Sequence, residues 1–277
     1  VNSLAEATIQ RLAPSVYLKD ERFAESVVAN HDASVVATSL PLSGSVQIHF
    51  RVGQQWFSNK PVSVNDDQFQ HLIDVTISDS GNTMAVLMVD SLENETLHKV
   101  RFVERLGEAW VPTTSFTTSA LTTPALTTPA SSTSASAQAN ASVAFMLSAD
   151  SEYILLGTES SLSMYSQEAN WAQHSMIAPQ ATGRFLAASM NEDFTTLFAI
   201  EKQADTLWLV SYRQESTEGE AVWVETHRST VQGISSSDTV LLQASADAGS
   251  IMIAGWAPAA LDEKLPTVQR YWVSSGA

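Results

Sequence analysis

Five segments of the chain repeat one pattern of apolar and polar positions: an apolar run, a short turn that carries Asp or Asn, and a second apolar run. The clearest copy spans residues 73–89 (IDVTISDSGNTMAVLMV), and the other copies begin at Glu25, Ser142, Phe185 and Thr239. Two β-rich runs joined by a short polar turn predict a β-hairpin. Because a lone hairpin is only marginally stable in water, we expect the five hairpins to cover one another's apolar faces.

A third apolar run follows each hairpin and carries an aromatic residue at a matching place. These aromatic residues are Phe50, Phe102, Tyr165, Tyr212 and Tyr271. Four of the third runs are followed by a turn and a Trp that opens a fourth run, at Trp56, Trp110, Trp171 and Trp223. The repeating unit therefore has four strands and about 50 residues, the size and strand count of a propeller blade.

The repeat predicts one all-β domain over residues 1–277, a five-bladed β-propeller of four-stranded antiparallel blades. The expected blades cover approximately residues 23–71, 72–141, 142–184, 185–238, and 239–277 together with 1–13. The last unit has three strands, and residues 1–13 occupy the place of its missing fourth strand. The N-terminal strand would therefore close the ring and remove the open sheet edges.

A segment of almost pure Thr, Ser, Ala and Pro interrupts the repeat at about residues 113–141. Such a composition cannot supply a packed core. The repeat resumes in register after it, so we interpret the segment as a loop inserted between blades 2 and 3, either O-glycosylated or unmodified.

Charge and cysteine content narrow the classes of partner. Fourteen basic residues against 30 acidic residues give a formal net charge of −16, which argues against nucleic acid and anionic membrane surfaces as partners. This charge favours cations or basic partners, or simply a solvated surface.

The absence of cysteine excludes disulfides, thiolate zinc sites and cysteine nucleophiles, and it fits both a cytosolic and a periplasmic protein. No apolar run has the length of a membrane helix, and the first residues lack the features of a signal peptide.

The first hairpin resembles a known repeat. Residues 20–39 (DERFAESVVANHDASVVATS) place Phe23 before the inner strand and an Asp in the turn, and an aromatic strand and a Trp follow. This pattern resembles the FG-GAP-type propeller repeats of bacterial surface proteins and, more distantly, of integrin α chains. The resemblance implies an exported protein, periplasmic or on the cell surface, that acts in adhesion or as part of a larger surface assembly.

Two features of that repeat are altered or absent in this sequence. Its Phe-Gly pair is Phe23-Ala24 and Phe185-Leu186 here, and the Asp-x-Asp-x-Asp-Gly calcium loop is absent from every blade. Calcium binding is therefore not carried over, and we expect neither a metal nor another cofactor.

Motifs of common enzyme classes are missing from the sequence. It contains no Gly-x-Ser-x-Gly elbow, no phosphate-binding loop and no His-Glu-x-x-His helix. The six histidines show no metal-ligand spacing, and we expect His49 and His98, on or beside outer strands, to lie at the surface.

One enzymatic alternative is a glycoside-active five-bladed propeller, which would need two or three carboxylates around the central pocket. Asp74 is the only acidic residue well placed at an inner strand. The corresponding positions in the other blades hold Ser26, Ser142, Leu186 and Thr239. The pattern therefore disfavours catalysis, and this alternative stays open.

A non-catalytic binding or scaffolding role is the favoured interpretation. In an antiparallel blade the loops between strands two and three, and between strand four and the next blade, share one face. The candidate ligand-binding residues in these loops are Asp66, Asp67, Arg184, Asp238 and Trp256. A tryptophan near carboxylates suits a sugar ring or a peptide side chain, so the expected partner is a protein or a glycan.

Deletion of residues 1–13 tests the predicted ring closure. Loss of a packed strand would expose a sheet edge, so we expect the free energy of unfolding to fall by several kcal/mol, on the order of 3 kcal/mol or more. Urea denaturation of the two chains measures the difference, and superimposable curves would contradict closure by this segment.

Overall fold

The computed structural model describes residues 26–65, 71–91, 96–118, 143–180, 182–217, 220–235, 240–256 and 266–273. Within these ranges the chain forms β-strands and turns without an α-helix, apart from a short 3₁₀ turn at Pro41–Ser43. None of the described residues belongs to a helix with the length and apolar character of a membrane span.

The strands form five antiparallel sheets in chain order. The first sheet contains β1 (Val27–Ala29), β2 (Val35–Leu40), β3 (Ser45–Val52), β4 (Gln55–Ser58) and β5 (Val62–Ser63). The second contains β6 (His71–Ile77), β7 (Thr83–Ser91), β8 (Thr96–Leu106) and β9 (Ala109–Thr118). The third contains β10 (Ala144–Leu147), β11 (Tyr153–Gly157), β12 (Leu162–Ser166) and β13 (Ala172–Ile177). The fourth contains β14 (Arg184–Met190), β15 (Thr196–Gln203), β16 (Thr206–Thr217) and β17 (Glu220–Thr230), and the fifth contains β18 (Leu241–Ala244), β19 (Ser250–Trp256) and β20 (Pro266–Trp272).

These sheets are the blades of a five-bladed β-propeller, as the repeat predicts. In each blade the strands pair in chain order, and the first strands of successive blades contact one another around the axis. In blade 1 the outer strand is split, because β4 and β5 both pair with β3 and Pro61 between them has no N–H to donate. Blade 5 shows three strands in the described ranges. The predicted fourth strand, residues 1–13, lies outside them.

The Thr-rich insertion begins later than expected. Strand β9 continues to Thr118, where Thr117 pairs with Lys99 and Thr118 with His98. Residues 113–118 are therefore strand, since β-branched threonine suits a pleated surface even in a segment of low complexity. Residues 119–142 lie outside the described ranges.

The core lies between the blades. Along β7, Met84, Val86 and Met88 pack toward blade 1, and the alternate residues Ala85 and Leu87 pack toward blade 3. Side chains alternate between the two faces of a strand, and here both faces are covered. This explains why the inner strands read as continuous apolar runs.

The hairpin turn between the first two strands of each blade, called here the inner turn, has six residues and one geometry. The five inner turns are residues 30–35, 78–83, 148–153, 191–196 and 245–250. In each, the Asn or Ser side chain at the first position accepts a hydrogen bond from the N–H of the sixth residue, at 2.8–3.2 Å. The Asp or Ser at the third position accepts one from the N–H of the fifth residue. The fourth residue has a positive φ of 50–68°.

Two histidines expected at the surface are buried. His49 on β3 is inaccessible to solvent, and its Nδ1 lies 2.7 Å from Oγ of Ser58 on β4. His98 on β8 is 6% exposed, and its Nδ1 has no hydrogen-bond partner. The expectation was wrong because both side chains lie among neighbouring strands: His49 lies between Thr38 on β2 and Ser58 on β4, and the strand partner of His98, Thr118, bonds to Tyr165 of blade 3. Burial lowers the pKa of His49, and it lowers the pKa of His98 to about 4.

The buried His98 predicts a stability loss in acid. His98 takes up a proton near pH 6.5 in the unfolded chain and only near pH 4 in the folded chain. The contribution of His98 to the free energy of unfolding is therefore complete above pH 6.5 and falls as the pH drops toward 4. The shift corresponds to about 3 kcal/mol. We expect His98→Leu to remove this pH dependence.

Urea denaturation of both proteins at several pH values from 7 to 4 measures the effect as the difference between the two free energies of unfolding. Carboxylate titrations are common to both proteins and cancel. A difference that stays constant over this range would contradict the buried neutral imidazole.

Candidate functional site

The inner turns meet at the axis on one face of the propeller, called here the turn face. Their second positions hold His31, Asp79, Ala149, Glu192 and Ala246. One imidazole nitrogen of His31 and one carboxylate oxygen each of Asp79 and Glu192 all lie within 4.8 Å of one another. Blades 2 and 4 are not neighbours in the ring, so Asp79 and Glu192 meet across the axis. We call these three residues the axial triad.

Hydrogen bonds between blades hold the turns that carry the triad. The buried Asn30 donates from Nδ2 to the backbone oxygen of Asp79, at 3.1 Å, and so joins the turns of blades 1 and 2. The N–H of Glu192 donates to the backbone oxygen of Ala246, at 3.1 Å, and joins blades 4 and 5. Gly81 allows the first of these approaches, because a Cβ there would lie 2.9 Å from Val35 and 3.0 Å from Asn30.

The axial triad combines like and unlike charges. Nδ1 of His31 lies 3.9 Å from Oδ2 of Asp79. A hydrogen bond with Asp79, together with repulsion by its charge, raises the pKa of the Glu192 carboxyl group. The two carboxyl groups are therefore close enough to share a proton.

An open depression adjoins the triad. It has a volume of about 300 Å³ and is lined by Ala149, Asp150, Glu192, Asp193 and Ala246. The small side chains of Ala149 and Ala246, at the same turn position as the triad residues, leave this space open. A ligand group beside Glu192 would find room here.

A second concavity, called here the groove, lies between blades 2 and 3 on the same face. It has a volume of about 390 Å³, and it shares Ala149 and Asp150 with the axial depression. Its other lining residues are Ser80, Thr83, Phe102, Glu104, Thr114, Ser151, Gln167 and Trp171. Hydroxyl, amide and carboxylate groups therefore surround an aromatic wall formed by Phe102 and Trp171.

Trp171 is held in the groove by a strained turn. Asn170 and Trp171 have φ values of 54° and 60°, which are rare for residues other than glycine, above all for a bulky one. The indole of Trp171 stacks on Phe102 of blade 2, with ring centroids 4.3 Å apart, and on Phe116, at 5.7 Å. The two phenyl centroids are only 6.4 Å apart, too close to lie on opposite faces of the indole. They support one side of the ring, and neither covers the other side.

The opposite face, called here the loop face, carries an ionic cluster between blades 3 and 4. Glu201 is fully buried and accepts hydrogen bonds from Arg228 Nη2, the Gln180 N–H and Gln203 Nε2, all at 2.8–2.9 Å. Arg228 also donates to Glu225, and its hydrogen bonds lower the pKa of that carboxyl group. Because a buried carboxylate requires such partners, we interpret this cluster as structural.

The structure describes only part of the sequence-predicted site on the loop face. Asp66, Asp67 and Asp238 lie outside the described residues. Arg184 is the first residue of β14, exposed, and forms an ion pair with Glu159 at 2.7 Å. The backbone of Trp256 ends strand β19 opposite Pro266, so this residue belongs to a strand and not to a loop. The grouping of these five residues remains a prediction.

Asp74, the candidate for the enzymatic alternative, lies beside a bulge in β6. Its Oδ1 accepts hydrogen bonds from Oγ of Ser26 at 2.5 Å and from the Val75 N–H at 2.8 Å. Among the described inner strands, the corresponding positions in blades 1 and 4 hold Ser26 and Leu186. A pair of carboxylates at this level is therefore not formed by the described residues.

The sequence prediction placed the site in the longer loops and included neither the axial triad nor the groove. A usable signal was present: the five inner turns align as NHDASV, SDSGNT, SADSEY, NEDFTT and SADAGS. Their second column contains the triad. In a ring of equivalent hairpins, residues of one column converge on the axis.

Comparison with known proteins supports the fold. No protein-family model matches the chain, and no curated protein matches it. Among solved structures, hydrazine synthase of Kuenenia stuttgartiensis is similar with a TM-score of 0.60 and 10% identity, over 96% of this chain and 67% of that one. A protein from Lactobacillus plantarum has a TM-score of 0.53 and 10% identity, over 88% and 70%. A protein of unknown function from Desulfotomaculum acetoxidans has a TM-score of 0.53 and 10% identity, over 92% and 71%.

At such identities the likeness shows the propeller fold alone. The FG-GAP resemblance is not confirmed by these comparisons. They leave open whether the protein binds or catalyses.

The carboxyl pair of the axial triad generates a prediction. In Asp79→Ala the hydrogen bond and the neighbouring charge are both removed, so the pKa of Glu192 should fall toward the ordinary value of a glutamic acid. Carbon-detected NMR titration of the glutamate carboxyl groups measures it, with Glu192→Gln to assign the signal. Glu152→Ala, an exposed change on the same face, is the control and should leave the titration of Glu192 as in the wild type. An unaltered Glu192 titration in Asp79→Ala would show that the two groups do not interact.

Proposed function

We propose that this protein is a non-catalytic binding or scaffolding module that takes its ligand on the turn face, in the groove between blades 2 and 3. The observation that carries the proposal is the groove itself. Its volume of about 390 Å³ falls within the usual size of ligand sites, and an indole braced by two phenyl rings forms part of its wall.

The lining of the groove favours a glycan. The indole of Trp171 can stack on the apolar face of a sugar, and the surrounding hydroxyl, amide and carboxylate groups of Ser80, Thr114, Gln167 and Asp150 offer hydrogen bonds to sugar hydroxyls. A polar segment of a protein partner is the competing ligand. Acidic side chains in the inner turns favour neutral or basic ligands over anionic ones.

The fixed position of Trp171 favours ligand binding in the groove. Two contacts hold Trp171 in place. Its backbone N–H donates to the backbone oxygen of Ser166 at 2.7 Å, and its indole stacks on Phe102 across the blade boundary. A side chain already fixed in its bound position loses little conformational entropy when a ligand arrives. The groove can therefore bind without first ordering its aromatic wall.

The cellular setting is part of the proposal. The resemblance to surface propellers supports an exported protein, periplasmic or outside the cell, that contributes adhesion or scaffolding to a larger assembly. The strongly acidic composition agrees with a partner that is neither nucleic acid nor an anionic membrane.

The groove is tested with Trp171→Ala and Gln167→Ala. The first removes the aromatic wall, and the second removes one exposed polar side chain at the rim without touching the core. We expect ligand binding to weaken by tenfold or more in Trp171→Ala, about 1.4 kcal/mol, and by less in Gln167→Ala. Glycan arrays and pull-down assays with the whole chain identify the ligand, and titration calorimetry gives the affinities.

Two further variants sharpen this test. Trp272→Ala removes an indole that is 73% exposed on blade 5, outside the groove, and should bind as the wild type does. Trp256→Ala probes the loop-face prediction in the same assay. Thermal unfolding of each variant separates loss of binding from loss of fold. Undiminished binding in both groove variants, with loss in Trp256→Ala, would move the site to the loop face. Turnover of a glycoside that is lost in Asp74→Asn would replace the binding function by the enzymatic one.

A further inference from the structure

The axial triad brings together three metal-ligating side chains that are far apart in the sequence. His31, Asp79 and Glu192 come from blades 1, 2 and 4 and offer one nitrogen and two oxygens within 4.8 Å of one another. The groove of the proposed function uses none of these three side chains. The triad is therefore a separate candidate for a ligand of its own.

We propose that His31, Asp79 and Glu192 bind a zinc ion at the axial opening of the turn face. This inference goes beyond the proposed binding function and does not depend on it.

The donor set fits zinc better than calcium. Zn²⁺ is bound by imidazole nitrogen and carboxylate oxygen at about 2.0–2.2 Å, and sites with three protein ligands keep one position open. Ca²⁺ takes about 6–8 oxygen ligands, and the triad supplies two carboxylates and a nitrogen. The chemistry of the three groups thus selects a first-row transition ion.

The geometry requires only small adjustments. Ligand atoms at about 2.1 Å from a tetrahedral ion lie roughly 3.4 Å apart. The His31–Asp79 separation is 3.9 Å, and no pair in the triad exceeds 4.8 Å. Movements of about 1 Å close these gaps, which is within the freedom of exposed side chains. The backbone positions are already tied by the bonds from Asn30 to Asp79 and from Glu192 to Ala246.

Electrostatics on the turn face supports a cation at this point. The Asp79 and Glu192 carboxyl groups face each other across the axis, with one oxygen of each within 4.8 Å of the other. A divalent cation neutralises both groups at once. Carboxylates at the third position of four inner turns, Asp32, Asp150, Asp193 and Asp247, add negative potential around the opening.

Space for the remaining ligand is present. Glu192 also lines the axial depression of about 300 Å³, where Ala149 and Ala246 replace the larger side chains of the other turns. The open coordination position can therefore hold a water molecule or a donor atom of a bound ligand. None of the six histidines has metal-ligand spacing in the sequence, so the alignment of the five inner turns is the signal that leads to this site.

Calorimetric titration of the whole chain with Zn²⁺, and absorption spectroscopy with Co²⁺ as a visible substitute, tests the site. We expect one equivalent of Zn²⁺ to bind to the wild type and a Co²⁺ spectrum typical of nitrogen and oxygen ligands. The variants His31→Gln, Asp79→Asn and Glu192→Gln should each weaken binding at least about tenfold. The matched control Glu152→Gln removes one charge from the same face and should bind as the wild type does.

Thermal unfolding without metal shows whether each variant is folded before its affinity is compared. A stoichiometric site that persists unchanged in all three triad variants would overturn the proposal, as would a wild type that binds no Zn²⁺. Binding of Ca²⁺ as tightly as Zn²⁺ would also overturn it. Failure of the groove variants to affect ligand binding would leave this site untouched, so the two proposals fail separately.

Discussion

Face-to-face packing of blades that follow one another in the chain is the interaction on which the rest of the structure depends, and four apolar clusters join blades 1 and 2, 2 and 3, 3 and 4, and 4 and 5. Strand β7 shows this packing most clearly. Met84 and Val86 pack toward blade 1, and Ala85 between them packs toward blade 3. Apolar burial is worth roughly 25 cal/mol for each Å² removed from water, and these sheets can obtain it on both sides only in a stack.

The inner turns connect the packed strands at the turn face, where the axial triad and the groove lie. Each turn is closed by side-chain hydrogen bonds at its first and third positions and by a positive φ at its fourth, so five different sequences adopt one shape. Identical turns on equivalent blades place identical positions around the axis. A site can then be built by changing the second residue alone, without cost to the hairpin below it.

Stability and recognition are largely separate on this scaffold. The buried Glu201–Arg228 pair and the interblade clusters lie within or beneath the blades, where removal of one partner would leave a buried charge or a cavity. The axial triad and much of the groove rim consist of turn side chains that are exposed or half-buried. Trp171 belongs to both groups, because its indole packs on Phe102 on one side and lines the groove beside it. The strained φ of this residue is stabilised by the same packing.

The repeat, the strand count and the fold class follow from local sequence, because a hairpin is encoded within about 15 residues by two apolar runs and a polar turn. The sequence also contained the turn chemistry, since Asn191 and Asp193 make their hydrogen bonds within six residues of chain. Burial of His49 and His98 could not be predicted in this way, since whether a strand position is covered depends on the packing of strands that are distant in the sequence. The same holds for the axial triad: residues 31, 79 and 192 have no local relation, and only the radius and order of the ring bring their side chains within 4.8 Å.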